Sequence, residues 1–155
     1  LAIADYDVAI KLDPRNAGLY LKRGNARLAN KNYADALANF DEAVKLKFGN
    51  FGVFSGRALA KLGLGNYNEA ILDFDRAIKL KPEGADMYFY RGNAKLKVEH
   101  YRSAISDYGT ALRLSPDDAT TYFNRALARE CLGDYMNAIA DYRQVIRLDP
   151  KNNDA

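Results

Sequence analysis

Cysteine and histidine are nearly missing from this 155-residue chain, which has one of each, Cys131 and His100. A lone thiol has no partner for an internal disulfide, and one thiol with one imidazole cannot complete the four-ligand set of a structural zinc site. A reducing, cytoplasmic setting fits, an oxidising one stays open, and no metal or other cofactor is expected. Long apolar runs are missing too. Nothing approaches the ~20 residues that cross a bilayer, and Leu1-Ala2-Ile3 opens without the basic segment of a secretory signal. Four prolines and eleven glycines are thinly spread, so composition marks no linker and one continuous architecture is expected. An excess of one charge is also lacking. With 23 basic and 20 acidic residues the net charge is +3, which by itself argues for neither nucleic acid nor an anionic membrane as partner.

What is present is periodic. A composition 28% charged and 48% apolar suits a folded protein with a real core, and the chain repeats itself at an offset of 34 residues. Tyr20, Phe54, Tyr88 and Tyr122 share one column; Tyr33, Tyr67, Tyr101 and Tyr135 another; Ala36, Ala70, Ala104 and Ala138 a third. Tyr6, Phe40, Phe74, Tyr108 and Tyr142 form a fourth, and Leu12, Leu46, Leu80, Leu114 and Leu148 a fifth. Full units then span 17–50, 51–84, 85–118 and 119–152, after the second half of an earlier unit at 1–16.

Inside a unit the apolar spacing is helical. Ile71, Phe74, Ala77 and Ile78 fall on one face, without strand-like alternation. Each unit is expected to be two helices. The first starts near Ala17, Phe51, Ala85 or Ala119, and the second stops before Pro14, Pro82, Pro116 or Pro150, where the ring removes a backbone donor. Turns such as Leu132-Gly133-Asp134-Tyr135 join the pair, and small residues at Gly24, Ala58, Gly92 and Ala126 let the helices approach while the aromatic columns pack beside them.

With an aromatic at the fourth position, Gly or Ala at the eighth, Ala at the twentieth, an aromatic at the twenty-fourth, Ala at the twenty-seventh and Pro at the thirty-second, the chain resembles the tetratricopeptide repeat family. Val145 in place of Ala and Phe48 in place of Pro are departures. The resemblance implies an all-α, right-handed superhelical solenoid of helix-turn-helix hairpins, a half repeat plus four full ones. The chain is expected to be part of a longer protein.

An arginine in every unit, Arg23, Arg57, Arg91 and Arg125, stands where the family often has leucine. An interior guanidinium needs partners, and the aspartates Asp5, Asp73, Asp107 and Asp141, with Asn39 as the exception, form one column of the second helix. A structural ladder of these pairs is expected, with anion binding as the competing reading. The column Arg27, Lys61, Lys95 and Arg129 is expected to lay solvated stems over the helices. Lys11, Lys45, Lys79, Arg113 and Arg147 complement the dipole at the end of each second helix, the competing reading being a basic stripe for an acidic partner.

By resemblance, function belongs to the concave wall of first helices, where a peptide or amphipathic helix of a partner protein would lie. The wall positions are Leu21, Asn25 and Leu28; Ser55, Leu59 and Leu62; Phe89, Tyr90, Asn93 and Leu96; Phe123, Asn124, Leu127 and Glu130. Some of these Leu side chains could equally be core. Phe89, Asn93, Phe123 and Asn124 are favoured as contacts, since aromatics and amides mark contacts more selectively. Asn93 and Asn124 match two positions of the family's carboxylate clamp for chaperone tails, but Phe89 replaces its lysine, so the charge needed for a carboxylate is missing. No enzyme is indicated: His100 shares a turn column with Asn32, Asn66 and Asp134, and Cys131 has no predicted base. A Leu/Phe wall also argues against RNA, which asks for a basic one. Self-association through open solenoid ends is the main alternative. The Phe48–Gly56 junction, without proline and with Gly52 and Gly56 in the next helix, is expected to be the softest boundary.

Overall fold

A computed structural model of the chain describes residues 2–150; of the repeat boundaries above, Leu1 and residues 151–152 lie outside it. The described residues form nine α-helices and no strand, and none of these helices is long and apolar enough to cross a membrane. They fall into two compact units that divide between Pro82 and Glu83, in a loop that composition did not mark. The first unit holds α1 (Ala2–Leu12), α2 (Ala17–Ala29), α3 (Tyr33–Lys45), α4 (Phe51–Gly63) and α5 (Tyr67–Leu80). The second holds α6 (Ala85–Lys97), α7 (Tyr101–Leu114), α8 (Ala119–Cys131) and α9 (Tyr135–Leu148). Within each unit, α2 with α3, α4 with α5, α6 with α7 and α8 with α9 pack as hairpins, and each hairpin packs on the next through the second helix of one and the first of the other.

Local chemistry sets these bounds. α1, α5, α7 and α9 end two residues before Pro14, Pro82, Pro116 and Pro150. α3 lacks that stop and closes differently: Lys47 takes φ +61°, the Phe48 amide donates to the Ala43 carbonyl at 3.0 Å, and the Lys47 amide donates to the Val44 carbonyl at 2.8 Å. The Asn50 side chain then caps α4 by accepting from the Val53 amide at 3.0 Å. Each hairpin turn needs one left-handed residue, supplied by Gly65 and Gly133 in two cases and by Lys31 and Glu99, at φ +59° and +62°, in the others.

Between hairpins of the first unit the core centres on Phe40, fully buried with Ala36, Ala43, Val53 and Ala60. A Cβ on Gly24 would lie 2.8 Å from the Phe40 ring, and one on Gly56 would lie 2.5 Å from it. The ring thus meets a glycine of its own hairpin and a glycine of the next. Gly56, which costs helix propensity, is there because only a bare backbone fits. In the second unit Tyr108 holds the same column, fully buried against Ala104 and Ala128, with Gly92 in Gly24's role.

Candidate functional site

The arginine column is consumed by the fold. Arg57 makes a two-pronged bond to Asp73, Nε to Oδ2 and Nη2 to Oδ1, both at 2.7 Å. Arg91 does the same with Asp107 at 2.8 and 2.6 Å, and Arg125 with Asp141 at 2.9 and 2.6 Å. Where Asn39 replaces the aspartate, Arg23 Nε donates to its amide oxygen at 2.7 Å. Each guanidinium also lies over the aromatic three residues earlier, on Tyr20, Phe54, Tyr88 and Tyr122, at 5.4 to 5.8 Å from the ring centre. The guanidinium forks are engaged by protein carboxylates and an amide, which supports the structural ladder over anion binding.

Two expectations about this ladder need correction. Lys61, Lys95 and Arg129 are not solvated stems: each reaches the same aspartate as its neighbouring arginine, Lys61 to Asp73 at 2.9 Å, Lys95 to Asp107 at 2.8 Å and Arg129 to Asp141 at 2.6 Å. A buried carboxylate facing one guanidinium still has lone pairs to satisfy, and the second cation fills them. Asp5 is exposed, and α1 meets Arg23 through Asp7 instead; Asp41 reaches Arg57 in the same way at 3.0 Å. The column Asp7, Asp41 and Asp75 was visible at the 34-residue offset and is the signal that would have found this backward contact. Burial by itself would raise the Asp73 pKa, but the hydrogen bonds from Arg57 and Lys61 outweigh it and hold the carboxyl below its ordinary value.

The proposed wall residues differ sharply between units. In the first, Leu21 and Leu28 are half-buried against the Phe40 core, Asn25 is exposed, Ser55 is buried, and Leu59 and Leu62 are half-buried. In the second, Phe89 stacks edge-on against Tyr90 with ring centres 5.3 Å apart and tilts over Tyr108 at 6.3 Å. The Tyr108 hydroxyl donates to Asn93 Oδ1 at 2.8 Å, and Asn124 Nδ2 donates to the same oxygen at 2.9 Å. Burial pushes the Tyr108 pKa well above the ordinary phenol value, so it stays a donor. The two amides favoured for peptide contact therefore hold each other and a buried phenol, a link that an aromatic column read only as packing did not suggest.

Leu96 packs on this cluster, and Leu127 is half-buried. Phe123 is 44% exposed and lies edge-on to Tyr142. The Tyr142 hydroxyl donates to the exposed Glu130 at 2.8 Å; burial and that carboxylate push its pKa up to about 12.

Phe89 and Tyr90 open onto a cleft of about 380 Å³ whose other walls are Asp86, Ser115, Asp118 and Thr120 together with two alanines. A second cleft of about 250 Å³ is lined by Ala119, Thr120, Phe123, Val145 and Asp149. These five residues stand 34 residues beyond Ala85, Asp86, Phe89, Ala111 and Ser115 of the first. The same repeat position thus builds both clefts. His100 and Cys131 belong to neither: His100 is the exposed residue before α7, and Cys131 is exposed at the end of α8.

Hairpins locked by an internal ion-pair ladder, with aromatic residues lining clefts at successive repeats, define an all-α helical-repeat protein. The chain belongs to the tetratricopeptide repeat family: a family model of that name matches residues 1–50 and 91–153, and a second, described as a TPR repeat, matches residues 56–98. Solved structures of similar fold include MamA, 23% identical over 99% of this chain and 90% of that one, with a TM-score of 0.90. YrrB, described as a TPR protein with an unusual peptide-binding site, is 21% identical over 96% of this chain and 77% of its own, with a TM-score of 0.89. MamA from Desulfovibrio magneticus RS-1 is 18% identical over 99% and 86%, with a TM-score of 0.90. At these identities the likeness establishes the all-α repeat fold and nothing finer. No curated protein matches the chain.

Proposed function

We propose that this chain is a non-catalytic protein-interaction scaffold that binds an extended or helical segment of a partner protein along the first helices of its second unit. The observation that carries this reading is the cleft beside Phe89 and Tyr90, repeated beside Phe123, where aromatic surface stays accessible on a face built from rigid helices. Exposed aromatic side chains next to polar groups are the usual anchors of such contacts. Asn93 and Asn124 act as supports that fix the wall, and Tyr90, Phe123 and the cleft rim touch the ligand. In the first unit the half-buried Leu21, Leu28, Leu59 and Leu62, the buried Ser55 and the exposed Asn25 add little.

The test is affinity capture from native lysate with the chain and with a Tyr90→Ala/Phe123→Ala variant whose helicity by circular dichroism is unchanged. A protein retained by the first and lost by the second supports the cleft reading, and its retention in raised salt separates it from phosphate-bound nucleic acid. Identical captures count against it. A second reading, self-association, is supported by α9, where Met136 is 81% exposed beside exposed Tyr135 and Ile139. Sedimentation of a Met136→Glu/Ile139→Glu variant checks it, with loss of a dimer as the expected result.

A further inference from the structure

Resting on the reading that the clefts of the second unit hold a partner segment, we infer that this segment is basic as well as apolar, and that a lysine or arginine side chain of the partner enters the cleft between Phe89, Tyr90, Asp86 and Asp118. Charge complementarity is the ground. Asp86 and Asp118 both line the 380 Å³ cleft, and none of its lining residues is basic, although the whole chain carries a net charge of +3. Ser115 and Thr120 add hydroxyl oxygens to the same wall.

The start of α8 opens here, and a bare helix N-terminus would favour an anion. Asp118 reverses that preference. Its Oδ1 accepts from the Thr120 and Thr121 amides at 3.0 and 3.3 Å, and its Oδ2 from the Thr121 hydroxyl at 2.5 Å. The positive end of the helix is thereby occupied and Oδ1 is saturated, while Oδ2 keeps a lone pair for a further donor. Asp86 Oδ1 accepts from the Met87 amide at 3.0 Å, which fixes the carboxyl at the start of α6. The edge-to-face Phe89 and Tyr90 rings supply aromatic surface over which an aliphatic stem or a guanidinium can lie.

The pattern recurs at the next repeat. The smaller cleft pairs Phe123 with Asp149 and shares Thr120 with its neighbour, and its described lining also lacks a basic residue. A segment running along the second unit would therefore meet aromatic surface and carboxylate twice in succession. Two cationic residues flanked by apolar ones are the recognition pattern that follows.

A randomised peptide library displayed on phage, panned on the chain, tests this directly. Parallel selections use Asp86→Asn/Asp118→Asn, which keeps a capping side chain at 118 and removes both charges, and Tyr90→Ala/Phe123→Ala. The expected pool is enriched in Lys or Arg beside Leu, Phe or Ile, and that enrichment is lost on the charge-neutral variant. The leading peptide should bind the charge-neutral variant about tenfold more weakly by fluorescence polarisation, as loss of one charge-assisted contact predicts. Selected peptides without basic enrichment, or an equal pool and equal affinity on Asp86→Asn/Asp118→Asn, overturn the cationic assignment and leave the cleft reading standing. Selection of the same pool by Tyr90→Ala/Phe123→Ala, or no selected peptide at all, overturns the cleft reading and the cationic assignment together.

Discussion

Phe40 in the first unit and Tyr108 in the second occupy the same repeat position, are both fully buried, and are used in opposite ways. Phe40 is met by both Gly24 and Gly56, whose bare backbones close on its ring. Tyr108 keeps one glycine, Gly92, but Asn124 stands at the position of Gly56, and its hydroxyl reaches out to Asn93. A hydroxyl and an amide thus replace a bare backbone. The two glycines let the first unit close tightly on Phe40, whereas the phenol and its two amides brace a wall on which Phe89 and Tyr90 line a cleft.

The comparison can be broken most severely at its apolar end. Phe40→Ala should cost about 3–5 kcal/mol in urea unfolding, since two rigid backbones cannot collapse into the void, and should leave peptide affinity unchanged. Asp73→Asn comes next, at about 3 kcal/mol, because it strands Arg57 and Lys61 beside a neutral amide. Its pH dependence has a definite sign. Asp73 is held below its unfolded value of ~3.9, so its contribution is complete above that pH and is lost as pH falls through the folded value. Wild type should therefore lose stability below about pH 4 more steeply than Asp73→Asn does.

Gly56→Ala should cost about 1–3 kcal/mol by overpacking Phe40, although alanine is the better helix former. A stabilised variant would mean that the Phe40 ring does not require a bare backbone at that position. The smallest effect is expected from Tyr108→Phe, at about 1 kcal/mol for one hydrogen bond. Its signature is on function: the Asn93 and Asn124 side chains lose their buried anchor, and amide-proton NMR should show them mobile while the helices stay intact.

Much of this was legible in the sequence because repetition multiplies each signal. One arginine and one aspartate sixteen residues apart mean little; three such pairs in register, with Asn39 as the lone exception, imply contact, and the forked bonds of Arg57, Arg91 and Arg125 have that geometry. The helix ends followed from the prolines for the same reason. Features that occur once were harder to see. Gly56 looked like a weak helix residue because its purpose lies in a ring of the preceding hairpin. The bond from Tyr108 to Asn93 depends on a hydroxyl present in some members of an aromatic column and missing from others. The lysines at 61 and 95 were misread because a long side chain at a helix surface can go to water or fold inward, and only the unsatisfied lone pairs of Asp73 and Asp107 decide which.

Under the proposed function, binding belongs to the second unit while the first supplies packing. Hydrogen exchange of the backbone amides, with and without a saturating amount of the leading basic-apolar library peptide, tests it most directly. Added protection over residues 85–130, centred on the helices that carry Phe89, Tyr90 and Phe123, with little change over residues 17–63, is the predicted result. Protection concentrated in α2 and α4 would contradict it.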